Sequence, residues 1–524
     1  MRNKILTLAV LLGLAVSCQD AYEIEQPGYR TEDSQIFNSS TDISRGINAL
    51  YNQIPFEAEI NFTSYFTDEI APGRDNAGQG INDGSYRFFM NPGTGFAGSL
   101  WNNMYNLINR SNRLMHRIDE LTAKLNPTDD AAEIKALTIS KARLYVLRAY
   151  AHMKLFAYYT PDYKNGSGLS VIKFDFYQTD DYTRYEKRST VNEIVGLIES
   201  DIRTALDLTV DGTELDFNVE TVDDNGNAVT IKDNNFIGRN VAYGVLVKLY
   251  AMTENANGVL TNIDKITDKN IGNSASFITM FAKEELGLPT NPDLVWRLVR
   301  LPNDGGGVAG AWWAGAVSTN RAAYMEIGRS LYNQIAALHP GGPTIDARYS
   351  ATVWGESEPQ ANYASLGHQD YIERDLLFIG KYPGSTGAPL QNDLKIMRYT
   401  DLYLAKAEAL AMNGDYKGVE DIIKEIRTAR VYQVAPNAPV ISSVKEAWAA
   451  ILQERRVEFA FEGARYLDMK RLGVKAGSPG FVRDNKDCET NDACSLEASS
   501  YKLTLPIPRS EMLSNPNMVQ NPGY

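Results

Sequence analysis

Cysteine and histidine are scarce. The chain has 524 residues but only three Cys and four His. The four histidines (His116, His152, His339, His368) are scattered, without the spacing of a zinc site. Long hydrophobic runs are missing too: the apolar stretch from Ile5 to Val16 is too short to cross a bilayer. Positive charge is not in excess. The formal net charge is −13, and removing residues 1–17, with Arg2 and Lys4, makes it more negative. An acidic surface repels nucleic acid, so DNA and RNA are not expected partners. Familiar enzyme motifs are also lacking. There is no Gly-x-Ser-x-Gly elbow and no His-Glu-x-x-His, and Gly305-Gly306-Gly307-x-x-Gly310 lacks the Gly-Lys-Ser/Thr of a phosphate loop.

What is present describes an exported, folded protein. A hydrophobic fraction of 44% with 22% charged residues is ordinary for a globular chain. Tyrosine is frequent, at 29, with 18 Phe and 6 Trp. Most of these serve core packing, and exposed ones suit stacking on sugars or gripping peptides. The basic Arg2 and Lys4, the apolar run and the small residues Ala15 and Ser17 read as a signal peptide over 1–17. Cys18 follows at once and resembles a bacterial lipoprotein cleavage site, although Leu is usual where Ala15 stands. A lipidated Cys18 implies membrane attachment through acyl chains only. Gln19 and Asp20, with Glu23 and Glu25, resemble the acidic export tag of surface lipoproteins. Cys488 and Cys494 flank a short polar segment, and an oxidising compartment favours a disulfide between them. A zinc site would need ligands that are not nearby.

Periodicity predicts a mainly α fold. Helices are expected over Thr41 to Gln53, Leu100 to Leu121, Ala131 to Tyr159, Val191 to Leu208 behind a Thr190/Glu193 capping box, and Arg239 to Thr253. Tyr399 to Met412, a turn at Asn413-Gly414-Asp415, and Tyr416 to Arg430 form a helix hairpin like one tetratricopeptide unit of about 34 residues. A final long helix is expected over Ala447 to Leu472. Residues 211–236 read as a polar hairpin with Asp224-Asn225-Gly226 at its tip, and Asp293 to Leu301 as a strand. Thus the expected architecture is a tetratricopeptide-like helix-pair scaffold with few short strands. Residues 18–40 form a lipidated tether and lead-in. Residues 41–524 form one domain, helical over about 41–60, 100–254 and 398–472. Its loop-rich binding regions span about 61–99 and 290–397, since long irregular segments tend to carry function.

Motifs spread along the chain carry a resemblance. They include Trp101-x-x-x-Tyr105-x-x-Ile108-x-x-x-Asn112, Arg148-Ala149-Tyr150-Ala151, Arg188-Ser189-Thr190-Val191 with Asp201, and Gly238-Arg239 with Lys248-Leu249-Tyr250. Arg398-Tyr399 with Ala407-Glu408-Ala409 follows. The most specific runs from Glu454-Arg455-Arg456-x-Glu458 through Phe461-Glu462-Gly463-x-Arg465-Tyr466 to Asp468 and Arg471. The ending is Leu505-Pro506-Ile507-Pro508 and Asn521-Pro522-Gly523-Tyr524. In this order they resemble the SusD/RagB family of outer-membrane nutrient-binding lipoproteins. Asp401 departs from the family's usual Glu, and Thr160-Pro161-Asp162 from its usual Gly and Pro.

The resemblance implies a non-catalytic surface protein that binds a glycan and acts as a lid on a SusC-like TonB-dependent outer-membrane barrel. The alternative within the family is a RagB-type oligopeptide binder. A glycan-cleaving enzyme and a surface scaffold rank lower. Glu454 and Glu458 could approach the roughly 5 Å separation of a retaining glycosidase, but ion pairing along the helix with Arg455 and Arg465 explains them without chemistry. The ligand-binding candidates are Trp312 and Trp313 in a Gly-rich loop, Trp354, the group Arg74, Asp75, Asn76 and Tyr86, and Arg374. The adjacent tryptophans favour sugar, although one of them could anchor the loop to the core. No cofactor is expected. A structural calcium could sit at Asp180-Asp181 or Asp223-Asp224, for which solvated loops are the commoner meaning.

Overall fold

The computed structural model describes residues 36–524 except 77, 79–80, 82–83, 178–183, 211, 216, 218–220, 223–227, 230–234, 283–290, 301–306, 308–311, 313–322 and 385–390. The helices, in chain order, begin with α1 (Ser40–Tyr51), α2 (Phe56–Phe66), α3 (Gly95–Thr122) and α4 (Ala131–Tyr159). They continue with α5 (Val191–Asp207), α6 (Arg239–Met252), α7 (Ala256–Ile263) and α8 (Ser274–Phe281). The middle region adds α9 (Arg329–Ala336), α10 (Ala347–Thr352) and α11 (His368–Arg374). The last third holds α12 (Tyr399–Met412), α13 (Tyr416–Arg430), α14 (Val444–Glu458), α15 (Arg465–Leu472) and α16 (Asn485–Cys488). Helix α3 packs on α4, α4 on α5, α6 on α7, α7 on α12, and α12 on both α13 and α14. Successive antiparallel pairs therefore build the tetratricopeptide-like scaffold, and the early pairs are degenerate enough to hide their period.

Local signals explain the boundaries. Thr190 accepts from Glu193 N while the Glu193 side chain accepts from Thr190 N, the reciprocal box that starts α5. Asp415 caps α13, and the α12–α13 turn passes through Gly414 at φ 76°. The C-terminal half of α4 is buried on every face, as expected of a helix with little polar stripe. Lys470 closes its end by donating to the carbonyls of Ala157 and Thr160, at 2.8 Å each.

The strands are short and paired in twos. β1 (Ile70–Pro72) pairs antiparallel with β7 (Met325–Ile327), and β6 (Leu294–Leu298) with β8 (Leu394–Arg398). Two hairpins, β2 (Thr209–Val210) with β3 (Thr213–Glu214) and β4 (Thr221–Val222) with β5 (Ala228–Val229), occupy the expected polar excursion. Its tip, Asp224 to Gly226, lies outside the described residues. β9 (Phe481–Val482) pairs with β10 (Ser495–Leu496) beside the Cys488–Cys494 disulfide.

Two expectations are corrected. The final helix is not continuous: it breaks between α14 and α15, where Phe461 (φ 63°) and Gly463 (φ 78°) adopt left-handed backbone. The charged residues around the break do not pair mainly along one helix either. Glu454 binds Arg348 and Arg427, Glu458 binds Arg398 and Arg430, Glu462 binds Lys381 and Arg398, and Arg465 binds Asp68. These partners come from other elements, so the network ties α14 and α15 to the turn before β1, to β8, α10 and α13.

The other motifs have the same role. Arg148 of α4 donates to Asp201 of α5 at 2.8 Å and to Asn112 of α3 at 2.7 Å. Asn112 in turn donates to the carbonyl of Phe176, at 2.9 Å. Asp401, the departure from the family's Glu, still reaches Lys248 of α6 and Arg455 of α14, both at 2.6 Å. The motifs are thus the polar joints between helices.

Candidate functional site

The pairing of β1 with β7 brings the early and middle loops together. Ile70 faces Ile327, Ala71 faces Glu326 and Pro72 faces Met325. Past Pro72 the contact continues: Gly73 N donates to Tyr324 O at 2.9 Å and Asp75 N to Ala323 O at 3.1 Å. A Cβ on Gly73 would lie 2.4 Å from Ala323 O, so only glycine permits this approach. Beyond β7 lies residue 377, since Ile327 N donates to Leu377 O at 2.8 Å, and beyond that Val353 bridges Ile379. The junction is therefore a ribbon of four chain segments.

Arg74, Asp75, Asn76 and Trp312 meet at this junction. The Arg74 and Asp75 side chains are exposed. Asn76 is buried, and its Nδ2 donates to Tyr324 O at 2.8 Å, holding the early loop against the middle one. Trp312 is fully buried, with its ring 5.6 Å from Phe461 and 6.3 Å from Tyr382. Its carbonyl accepts from Tyr324 N and Met325 N. This corrects the expectation of a Trp312 stacking platform: the indole anchors the middle loop to the core. Trp313 lies outside the described residues.

The remaining candidates are placed apart. Tyr86 is fully buried, so it too is corrected from ligand contact to support. Its hydroxyl donates to Asp487 O at 2.9 Å and its ring lies 3.7 Å from the Arg483 guanidinium. Trp354 is half-buried, packed on the core two segments away from β7, with its N–H on Phe378 O. Arg374 is exposed in the last turn of α11. Cys488 and Cys494 form the expected disulfide. Cys18, Asp180-Asp181 and Asp223-Asp224 lie outside the described residues. Among the described residues no group of three or more His, Cys, Asp or Glu could hold a metal ion.

Several buried acids underlie the junction. Glu326 accepts from Leu377 N at 2.7 Å and from Arg74 N at 3.4 Å, and burial pushes its carboxyl up to about 8. Burial likewise raises Glu69, which accepts from Phe461 N, to about 7. Asp487, also raised by burial to about 7, accepts from Tyr371 OH and Arg329 N. Asp68 is different. Burial alone would raise it, but the Arg456 and Arg465 guanidiniums outweigh that and hold it well below the usual carboxylate range. Sequence reasoning did not single out Glu326, Asp487 or Arg483. Their partners come from distant parts of the chain, which leaves no local signal.

The fold is a tetratricopeptide-like helical scaffold that carries a junction of loops. The chain belongs to the SusD/RagB family. A profile described as "SusD family" matches residues 346–524, and one described as "Starch-binding associating with outer membrane" matches residues 25–222. The chain is 23% identical to SusD-like protein P38 of Formosa agariphila, over 100% of this chain and 99% of that one. It is 30% identical to the starch-binding protein SusD of Bacteroides thetaiotaomicron, over 25% of this chain and 22% of that one. Among solved structures, a SusD superfamily protein from Bacteroides thetaiotaomicron superposes with a TM-score of 0.68 at 20% identity, covering 92% of this chain and 100% of that one. A laminarin-binding SusD-like protein superposes with a TM-score of 0.61 at 18% identity, covering 93% of this chain and 100% of that one.

Proposed function

We propose that this protein binds a glycan at the cell surface, without covalent chemistry, and passes it to a TonB-dependent outer-membrane barrel. The observation that carries the reading is the loop junction, where exposed Arg74 and Asp75 stand on a backbone fixed by β1–β7 pairing. An arginine and a carboxylate so placed can donate to and accept from sugar hydroxyls. Family membership and the similarity to starch-binding and laminarin-binding relatives support a carbohydrate ligand. Trp313 remains the proposed stacking residue, and Cys18 the proposed lipid anchor at the outer membrane. With Trp312 in the core, the tryptophan pair no longer weighs as two platforms.

Calorimetry on the soluble chain from Gln19 tests this against polysaccharides and peptide digests. The reading expects saturable heat with one glycan, weakened by Arg74→Ala with Asp75→Ala or by Trp313→Ala. Heat with peptides alone would move the protein to the oligopeptide branch. Release of reducing ends during incubation would overturn the non-catalytic part.

A further inference from the structure

We propose that a groove between α2 and residues 84–99 is a second binding site, separate from the loop junction, that takes an uncharged sugar ring. The groove is open to solvent and offers about 680 Å³, within the range of small-ligand sites. Its described lining combines aromatic rings (Tyr65, Phe89, Phe96) with amides and hydroxyls such as Asn61, Asn91 and Thr94, and includes no Asp, Glu, Lys, Arg or His. None of the junction residues Arg74, Asp75, Asn76 or Trp312 belongs to it.

The exposed ring is built in. Phe89 is 59% exposed, and among the described residues no other Phe or Trp is exposed. Its neighbour Phe88 has left-handed backbone, φ 55°, a conformation that L residues other than Gly rarely adopt. That turn sends adjacent phenylalanines opposite ways. Phe88 is buried with its ring 5.7 Å from Phe66 and 4.3 Å from the Arg483 guanidinium, while Phe89 faces out. Phe89 N donates to Gly84 O at 2.8 Å, and Gly84 (φ 95°) leaves room for the ring, since a Cβ there would meet Phe89 at 3.1 Å. Strain kept where an apolar ring is held in water points to use of that ring.

The other walls are ready for a ligand. Phe96 stacks on buried Phe62 with centroids 4.1 Å apart, which fixes its ring. Asn61 Oδ1 is buried with no hydrogen-bond partner, an acceptor that a ligand hydroxyl would satisfy. A pyranose offers C–H faces for the rings and hydroxyls for the amides, whereas a peptide terminus, a uronate or a sulfate would find no counter-charge in this lining. On a polymeric glycan, a second contact on the same chain raises the effective concentration at the first.

Saturation-transfer NMR tests the proposal on the chain from Gln19. The probes are methyl glucoside, methyl mannoside and methyl galactoside with their hexasaccharides, and oligogalacturonate as the charged control. Transfer from a neutral glycoside should persist in the Arg74→Ala, Asp75→Ala double variant. Affinity should fall about fivefold to tenfold in Phe89→Ala, an exposed position that leaves the fold intact, and recover in Phe89→Trp. Asn61→Ala should weaken binding in the same direction. The proposal is overturned if no neutral probe gives Phe89-dependent transfer, if oligogalacturonate binds better, or if the signal follows Arg74 and Asp75 instead. Failure of the loop-junction reading alone leaves the Phe89 dependence standing.

Discussion

Glu458 in the helical scaffold and Glu326 at the loop junction are both buried acids, yet their surroundings differ. Burial alone would raise Glu458, but Arg430 and Arg398 outweigh it and hold its carboxyl well below the usual range. Glu326 accepts from two backbone N–H groups and is raised by burial to about 8. The pattern extends to neighbours. Asp401 is kept low between Lys248 and Arg455, whereas Glu69 and Asp487 are pushed up to about 7. Glu458 and Asp401 are thus held ionised by flanking cations and serve as joints between helices. At the junction Glu326, Glu69 and Asp487 accept from backbone N–H groups and are raised by burial, while Asp68 beside them stays low against Arg456 and Arg465.

The largest expected effect breaks a scaffold joint. Glu458→Ala removes the carboxylate shared by the buried Arg398 and Arg430 and leaves them only Glu462 and Asp293 as counter-charges, and removing one partner of a buried pair costs about 3–5 kcal/mol. Chemical denaturation should show that loss with two-state behaviour. A loss under about 1 kcal/mol would mean that water reaches these guanidiniums and that the scaffold is less closed than its geometry implies.

Opening the Cys488–Cys494 disulfide should loosen the early loop around residues 84–89 and spare the scaffold. The loop closed is short, so the loss is about 2 kcal/mol. The closed loop supports the binding region through Arg483, whose N–H donates to Cys494 O and whose guanidinium donates to Ala493 O and Thr67 O. In Cys488→Ser with Cys494→Ser, amide exchange should rise first across residues 84–89 and leave α4 protected. Equal loss of protection in both regions would contradict their separation.

The pH dependence is the next largest. A carboxyl whose folded value lies above its unfolded one stabilises the protein fully below the unfolded value, and loses that contribution as pH rises through the folded one. For Glu326 and Glu69 this window runs from about 4.5, and for Asp487 from about 3.8, up to about 7–8. Asp68, Asp401 and Glu458 are depressed, so their contribution disappears only as pH falls well below 4. Stability should therefore peak in mildly acidic buffer and decline toward pH 8. Glu326→Gln keeps an acceptor for Leu377 N, gives up the longer contact with Arg74 N and cannot ionise, so it should flatten that decline by roughly 1–2 kcal/mol. An unchanged slope in thermal melts between pH 5 and 8 would show that Glu326 is ionised throughout.

The same contrast explains what the sequence made legible. Helix limits such as Tyr399–Met412 and Tyr416–Arg430 follow from apolar spacing and caps, which act within a few residues. The motif residues Asn112, Arg148 and Asp201 were visible as a set, but their meeting in one cluster was not. The break at Phe461 and Gly463 escaped because an apolar period runs across it, and the reason to bend is the distant Glu69 that receives Phe461 N. At the candidate site, Arg74 to Asn76 were legible as a polar loop, whereas burial of Trp312 depends on Tyr382 and Phe461. Phe89 was visible only as loop composition, since its exposure depends on the backbone of Phe88.

The smallest expected effect tests whether the scaffold's local signals matter once its joints are made. Thr190 and Glu193 satisfy each other's backbone N–H at the start of α5, on an exposed turn. Thr190→Ala removes one acceptor and should cost about 1 kcal/mol, a shift of about one degree in the melting temperature of a chain this long. Helix α5 is also held by Asp201 against Arg148, so the cap should fray the first turn without unfolding the pair. Exchange should therefore rise at residues 191–194 and stay unchanged near 201. A global loss as large as that of Glu458→Ala would mean that the cap, and not the buried joint, sets where α5 docks.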